Sequence, residues 1–513
     1  MSNSSPLVTP GSCSIMGELP RVPSNISLNL NHTPNTTTND NTTDAFMVGS
    51  VSVSDPKGES KGDPKSDPRK DSDMEIKTRE MLQEASLTQK YVESLDLPQL
   101  NDIETHCVET LQSLNLPTPP LRRVPPLLQS LYPPSFPLLS LSSVRCTRFL
   151  LSVPSSLPLS SPHSLNYAEI TGRNCDNCIG YIPLPLGHAG PLPLTILTAE
   201  GKSDKIFNIP LATTEGGLIA SISRGLKAMR TGKTTAAVTQ DVMTRSPVIE
   251  FESLELAVKF KGYVEEYPED VRREFERGSR YLKLKEVECK VVGRTCYLRL
   301  GGETGEAMGM NMISKGSESL LKHLQKTWPL KILSVSGNYC CDKKPSALNF
   351  IKGRGKSVTL ECTLPTSTVL NVLKTTPEKM CKLNYYKNSI GSSLACTIGG
   401  CNAQAANVVA AIYLATGQDP AHVVEGSQCV TVMEVVEGGL YVSVTLPSLC
   451  LGTVGGGTEL KAQKGMIEYS GAEGGRELAC VVGGGVMAGE ISLVAALVEG
   501  ELVKAHMELN RKK

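Results

Sequence analysis

Aromatic residues are scarce: Phe, Tyr and Trp make up 4% of the 513 residues, with a single Trp. Net charge is missing as well, because 52 Lys and Arg balance 52 Asp and Glu. Without a basic surplus the chain lacks the electrostatic footprint of a nucleic-acid binder. Its 16 cysteines fall below the density of a disulfide scaffold. They are scattered, with one lone CxxC at Cys175–Cys178 and no second knuckle to close a zinc site. Reduced thiols in a cytoplasmic chain are expected, and no metal site is read. Residues 1–20 lack a charged start followed by an apolar run, so no leader peptide is read. The longest uncharged stretch, Val124 to Val144, carries Pro125, Pro126, Pro133, Pro134 and Pro137. Proline removes backbone donors and breaks helices. This stretch therefore reads as a linker, and no membrane span is expected in the chain.

Intact nucleotide-binding motifs are lacking too. Thr231-Gly232-Lys233-Thr234-Thr235 resembles the tail of a phosphate-binding loop, but Lys227 stands where its first glycine belongs. No G-x-G-x-x-G follows a strand, so any dinucleotide site is not the usual Rossmann one.

What is present divides the chain by texture. Residues 1–80 are polar and poor in apolar side chains, which predicts a disordered tail. Residues 81–165 hold a segment of helical spacing and the Pro/Ser/Leu-rich linker. From about Tyr167 glycine becomes dense and strand and helix patterns interleave, giving an α+β or α/β class. Glu215 to Met229 reads as a helix capped by Thr213-Thr214. Ala403 to Ala415 and Val486 to Leu497 read as buried helices, and Tyr441 to Leu446 as a strand. Glu501 to Leu509 reads as a short terminal helix.

Several pieces admit both a chemical and a bland reading. In Asp342-Lys343-Lys344 a lysine held by a carboxylate suits a developing oxyanion, and a solvated charged turn also fits. Arg354-Gly355-Lys356 reads as a surface turn. Glu215, in an apolar stretch at a helix start, would carry a proton if burial raised its pKa, and an acid favoured by the helix dipole fits equally. His506 suits a general acid on a terminal helix or an exposed structural histidine. Gly305 to Met312 and Gly452 to Thr458 offer open backbone for phosphate, or simply tight turns.

Taken jointly these pieces become specific. Asp176 to Gly180, Pro185 to Leu192, Ala212 to Gly216, Ala307 to Gly316, Asp342 to Pro345, Gly417 to Asp419, Gly452 to Thr458 and Leu502 to Met507 occur in a colinear order. In that order they resemble the eukaryotic-type 3-hydroxy-3-methylglutaryl-coenzyme A reductases, over roughly residues 167–511. The resemblance implies an α+β fold, with a large domain (166–239 and 334–513) around a long central helix. A small ferredoxin-like NADPH-binding domain would be inserted at 240–333. It implies a homodimer or homotetramer with shared active sites, and NADPH-dependent reduction of the hydroxymethylglutaryl thioester to mevalonate and free coenzyme A.

The roles it implies are these. Lys343 would stabilise the oxyanion, Glu215 would supply a proton, Asp419 would tune both, and His506 would protonate the departing thiolate. Ser336, Asp342, Lys344, Lys387 and Asn407 would contact the hydroxymethylglutaryl group. Ser221, Arg224 and Lys227 would contact coenzyme A. Glu306, Met308, Gly309, Met310 and Asn311, with Val454, Gly455, Gly456 and Gly457, would line the NADPH site. By analogy, eukaryotic members associate with the endoplasmic reticulum membrane through an N-terminal anchor, and none is legible here.

The sequence also departs from the family pattern. Glu306 replaces an Asp, Gln404 a His, Ala505 a Ser and Ala237 an Arg. Lys512 stands where animal and plant members carry a phosphorylated Ser, so that switch is expected to be absent. The alternative reading is a catalytically weak paralogue that binds coenzyme A thioesters in a regulatory role.

Overall fold

The computed structural model describes residues 170–500. The tail, helical segment and linker read over 1–165 lie outside the described residues, as do the terminal helix, His506 and Lys512.

The described chain opens with strands β1 (Leu186–Thr198) and β2 (Gly201–Ala212), then helix α1 (Leu218–Met229). Strands β3 (Thr234–Arg245) and β4 (Val248–Glu250) precede helices α2 (Leu254–Glu266) and α3 (Pro268–Glu276). Next come β5 (Lys283–Val292), β6 (Thr295–Glu303), α4 (Met310–Leu324) and β7 (Lys331–Ser334). They are followed by α5 (Ala347–Lys352), β8 (Gly355–Pro365), α6 (Pro377–Asn384), β9 (Gly400–Cys401) and α7 (Ala405–Ala415). Strands β10 (Cys429–Val436) and β11 (Gly439–Leu449) and helices α8 (Lys461–Ser470) and α9 (Gly475–Val498) complete the series. The class is mixed α and β.

All eleven strands belong to one connected sheet, ordered β7-β4-β6-β3-β8-β11-β10-β9, with β5 on β6, β1 on β3 and β2 on β1. Strand β3 carries the sheet from one part of the protein into the other. Its residues Thr234 to Val242 pair with β8, and Met243 to Arg245 pair with β6. Strand period decides which side chains go inward. In β11, Leu440, Val442, Val444 and Leu446 are fully buried, while Tyr441, Ser443 and Thr445 between them are less so.

The larger core surrounds α9, which packs against α1, β8 and β11. Glycines make this possible by close approach. A Cβ on Gly225 of α1 would lie 1.9 Å from the Ala488 carbonyl oxygen of α9. Cβ atoms on Gly483 and Gly484 would meet Leu360 at 2.3 Å and Leu192 at 2.5 Å. The glycine run therefore sits inside α9, and the helix begins well before the Val486 start read from the sequence. Among the described helices only α9 is long and apolar enough to cross a membrane, and 78% of its apolar window is buried inside the protein. The buried residues of a second core lie between Met243 and Leu330, with Cys450 added from farther along the chain and Ile332 packed against it. Here the Phe251 and Phe260 rings pack at a tilt with centroids 5.1 Å apart, and Trp328 packs edge-on to both.

Two local readings are corrected. Helix α1 starts at Leu218, behind Gly217 in a left-handed conformation (φ 89°), with no side-chain cap. Thr213 Oγ1 instead accepts the Glu215 N–H at 3.0 Å in the preceding turn. Residues Thr231 to Lys233 turn directly into strand β3, whereas a phosphate-binding loop must open a helix.

Candidate active site

Asp342-Lys343-Lys344 lies in a loop after β7 with three non-glycine residues, Asn338, Cys341 and Lys343, at positive φ. These left-handed residues turn consecutive side chains to opposite sides. Lys343 points outward and meets Asp419, with Nζ 2.7 Å from Oδ2. Asp342 points inward, 3.1 Å from Arg354 and 3.6 Å from Arg245. The carboxylate that holds Lys343 is therefore Asp419, not its sequence neighbour. Lys344 folds back onto the Asp342 carbonyl oxygen at 3.1 Å. Ser336 Oγ accepts from Arg245 at 3.3 Å.

Asp419 follows α7 and caps the single turn Pro420–His422, its Oδ1 accepting the Ala421 N–H at 3.0 Å. Partial burial pushes its carboxyl pKa up, but hydrogen bonds from Lys343 and Ala421 outweigh that and hold it below the usual value. The same contact with Asp419 raises the Lys343 ammonium pKa against the opposing effect of burial.

Beneath this exposed pair lies a buried ionic layer that sequence reasoning missed. Arg354 and Lys356, read as a surface turn, are buried at the start of β8. Arg354 bonds Glu425 at 2.9 Å, and Lys356 pairs with Asp241 at 3.1 Å. Glu425 Oε1 also accepts the Lys343 N–H at 3.3 Å and meets His422 Nδ1 at 2.7 Å. One signal was available: Glu425 stands three residues after His422, which itself stands three after Asp419, so one turn presents all three together. His422, Glu425 and Cys450 offer donor atoms within 4.8 Å of one another. Arg354 Nη1 nevertheless lies 2.9 Å from Glu425 and 3.1 Å from Cys450, so a guanidinium already holds the cation's place.

Three glycine-bearing segments converge beside Asp419. Gln418 and Gly452 exchange two hydrogen bonds, at 2.9 and 3.0 Å. Thr453 N–H donates to the Glu306 carbonyl at 2.8 Å, and Ala307 bridges to Val454. Gly417, at φ +70°, leaves no room for a Cβ, which would lie 2.3 Å from the Gly457 oxygen. The extra length of Glu306 has a visible use. Its carboxylate accepts the Gly475 N–H at 2.5 Å at the start of α9 and a hydrogen bond from Thr453 Oγ1 at 3.4 Å. Met310 faces inward, its sulfur accepting from Arg354 at 2.7 Å, whereas Asn311 and Val454 are exposed.

Glu215 is exposed, contrary to the burial considered from the sequence, because it precedes α1 and leans outward to Asn407. Asn407 Nδ2 donates to Glu215 Oε1 at 3.3 Å. Nearby, Glu490 of α9 is buried, and desolvation raises its pKa although it accepts the N–H groups of Ala403 and Gln404 and the Thr431 hydroxyl. Lys387, in a π-helical turn spanning Tyr385–Gly391, exerts its charge on Glu490. Gln404 turns inward to the Gly489 carbonyl at 2.7 Å. Ser221 and Arg224 both bond Ser492 of α9, while Lys227 is exposed.

The candidate residues thus fall into two groups. Glu215 and Asn407 sit at the N-terminal end of α7, while Asp419 and Lys343 sit just beyond its C-terminal end. Eleven residues of helix at ~1.5 Å rise put those ends about 16 Å apart. Among the described residues no hydrogen bond or ion pair joins the two groups.

A sequence profile described as hydroxymethylglutaryl-coenzyme A reductase matches residues 151–511. The chain belongs to this family. It is 46% identical over 363 residues to 3-hydroxy-3-methylglutaryl-coenzyme A reductase of Ganoderma lucidum, covering 67% of this chain and 29% of that protein. Identity is 45% over 361 residues to reductase 3 of Solanum tuberosum (67% of this chain, 62% of the relative) and to the Zea mays reductase (67% and 61%). The chain therefore spans about three-fifths of these plant relatives and less than a third of the fungal one. A class II reductase structure from Streptococcus pneumoniae, described as bound to NADPH, superposes with a TM-score of 0.51 at 19% identity. That match covers 63% of this chain and 88% of the other, and it shows a shared fold.

Proposed function

We propose that the chain reduces 3-hydroxy-3-methylglutaryl-coenzyme A to mevalonate and free coenzyme A with NADPH, the precursor-forming step of isoprenoid and sterol synthesis. The observation that carries this reading is the exposed Lys343–Asp419 pair, 2.7 Å apart, beside the junction of the 306–309, 417–419 and 452–457 segments.

Those segments fit a dinucleotide. Gly455 and Gly456 hold positive φ with open space where a Cβ would stand, and α4 starts at Gly309 with no side-chain cap. Uncapped N–H groups and bare glycine backbone suit phosphate. Met308 to Asn311 and Val454 to Gly457 would hold NADPH, with residues 240–333 as a smaller, ferredoxin-like NADPH-binding domain beside the one built around α9. When bound, the cofactor would supply hydride, and the four-electron reduction would consume two equivalents of NADPH.

The chain's own residues do the rest. Lys343 meets the negative charge that develops on the thioester oxygen. Asp419 keeps that ammonium charged and aimed. Glu215, oriented by Asn407, delivers a proton to that same oxygen when the aldehyde is reduced, and His506 protonates the departing thiolate. Ser336, Asp342, Lys344 and Lys387 would bind the acyl group. Ser221, Arg224 and Lys227 along α1 would bind coenzyme A. A span of ~16 Å between the two groups is too wide for one substrate carbonyl. We therefore read the complete site as assembled from two copies, Lys343 and Asp419 from one and Glu215 and Asn407 from its partner, in a homodimer or homotetramer. A cytoplasmic catalytic body is part of this reading.

The test is NADPH consumption by the full chain with the hydroxymethylglutaryl thioester, beside a thioester-binding measurement and the enzyme's mass in solution. Turnover by a dimer or larger assembly is expected. Binding without NADPH consumption would replace this reading with the thioester-binding paralogue, which the inward turn of Gln404 favours.

A further inference from the structure

His422 is used by none of the roles above, yet it sits where it controls them. It ends the turn that Asp419 begins and is buried with 1% of its side chain exposed. Its Nδ1 is pinned 2.7 Å from Glu425 Oε1. Its Nε2 makes no hydrogen bond among the described residues and lies 3.8 Å from Asp419 Oδ2, the oxygen that holds Lys343.

Resting on the proposed reaction, we propose that His422 is a positioning residue: an imidazolium beneath Asp419 that keeps the Asp419 carboxylate ionised and aimed at Lys343. Every element around it bears on its charge. Its own turn supplies Asp419 and Glu425, and the loop after β7 supplies Asp342, 3.9 Å from Nδ1, together with Lys343. Arg354, the residue before β8, is spent on Glu425 and Asp342. The residue after β11, Cys450, places its sulfur within 4.8 Å of a ring nitrogen. Three carboxylates therefore face an imidazole whose neighbouring guanidinium is already engaged. Burial opposes its charge, but Cys450 and Glu425 outweigh it and hold the ring protonated up to about pH 10. Asp419 is then sandwiched between two cations, Lys343 in solvent and His422 in the interior. A neutral side chain at 422 would leave the carboxylate with one.

The test compares the full-length wild type with His422→Gln, which keeps a polar side chain and removes the charge. Losing a cation within ~4 Å raises a carboxylate pKa by about one unit or more. The acid limb of the kcat–pH profile should move up by that amount, with KM for the thioester little changed. A lowered kcat with an unmoved acid limb would mean a packing role only, and would overturn the proposal. Because the variant risks misfolding, nitrogen-15 histidine NMR of the wild type gives a second readout. Of its seven histidines, one should stay doubly protonated near pH 9, and seven neutral rings at that pH would also overturn it. A wild type that consumes no NADPH sinks the proposed reaction instead, and the NMR result then judges His422 alone.

Discussion

Two ionic layers lie one above the other in this protein, and they obey opposite rules. In the upper layer Lys343 and Asp419 leave 42% and 38% of their side chains to solvent. In the lower layer Arg354 and Glu425 leave none. An exposed pair contributes little to stability because water screens it and competes for it. A buried pair costs much to desolvate, so removing one partner strands the other. The difference teaches where each job can be done. Charge that must meet a substrate belongs above, and charge that must not move belongs below, with His422 joining the two.

Substitutions that separate the layers test this comparison. Arg354→Met leaves Asp342 and Glu425 in the interior without their guanidinium. It should cost about 3–5 kcal/mol of unfolding free energy in a denaturant titration. A loss below about 1 kcal/mol would mean that the lower layer is not structural. Lys343→Ala should instead lower kcat at least ~100-fold. Its melting temperature should stay close to wild type, and near-normal turnover would remove Lys343 from the chemistry.

Alkaline titration sharpens the contrast. A group whose folded pKa is raised binds its proton more tightly in the folded chain. Its stabilisation is complete below the ordinary histidine value and is lost as pH rises towards the folded one. For His422 the wild-type unfolding free energy should fall between about pH 6.5 and pH 10, and His422→Gln should flatten that slope. Equal slopes in the two proteins would show that the ring is neutral.

The smallest effect concerns the upper layer in acid. Asp419 has a lowered pKa, so its stabilisation is present above the ordinary aspartate value and lost as pH falls through the lowered one. With over a third of the side chain exposed, Asp419→Asn should change stability by less than about 1 kcal/mol. A larger loss in thermal unfolding would place Asp419 with the structural layer.

Much of the fold was legible from local pattern. Strand period gave β11, and small apolar composition gave α7 as a buried helix. The colinear motifs gave the family, later matched over residues 151–511. Less legible were elements whose local chemistry contradicts their setting. Glycines at 483–485 weaken a helix by propensity, yet they lie within α9 because neighbouring side chains fill the space a Cβ would take. Arg354 and Lys356 look solvent-loving, yet buried acids accept them.

By itself the sequence determined which residue types stand in each loop, because turn chemistry, strand period and motif spacing act over a few neighbouring residues. Only the tertiary structure decided which of those residues meet. Glu215 and Asn407 touch across 192 residues, and Arg354 and Glu425 across 71. Lys343 chooses Asp419 over Asp342 because left-handed backbone turns adjacent side chains apart. Contacts of that range depend on how strands pair and how a glycine lets two helices close. Those are properties of the packed chain, and no short stretch of it carries them.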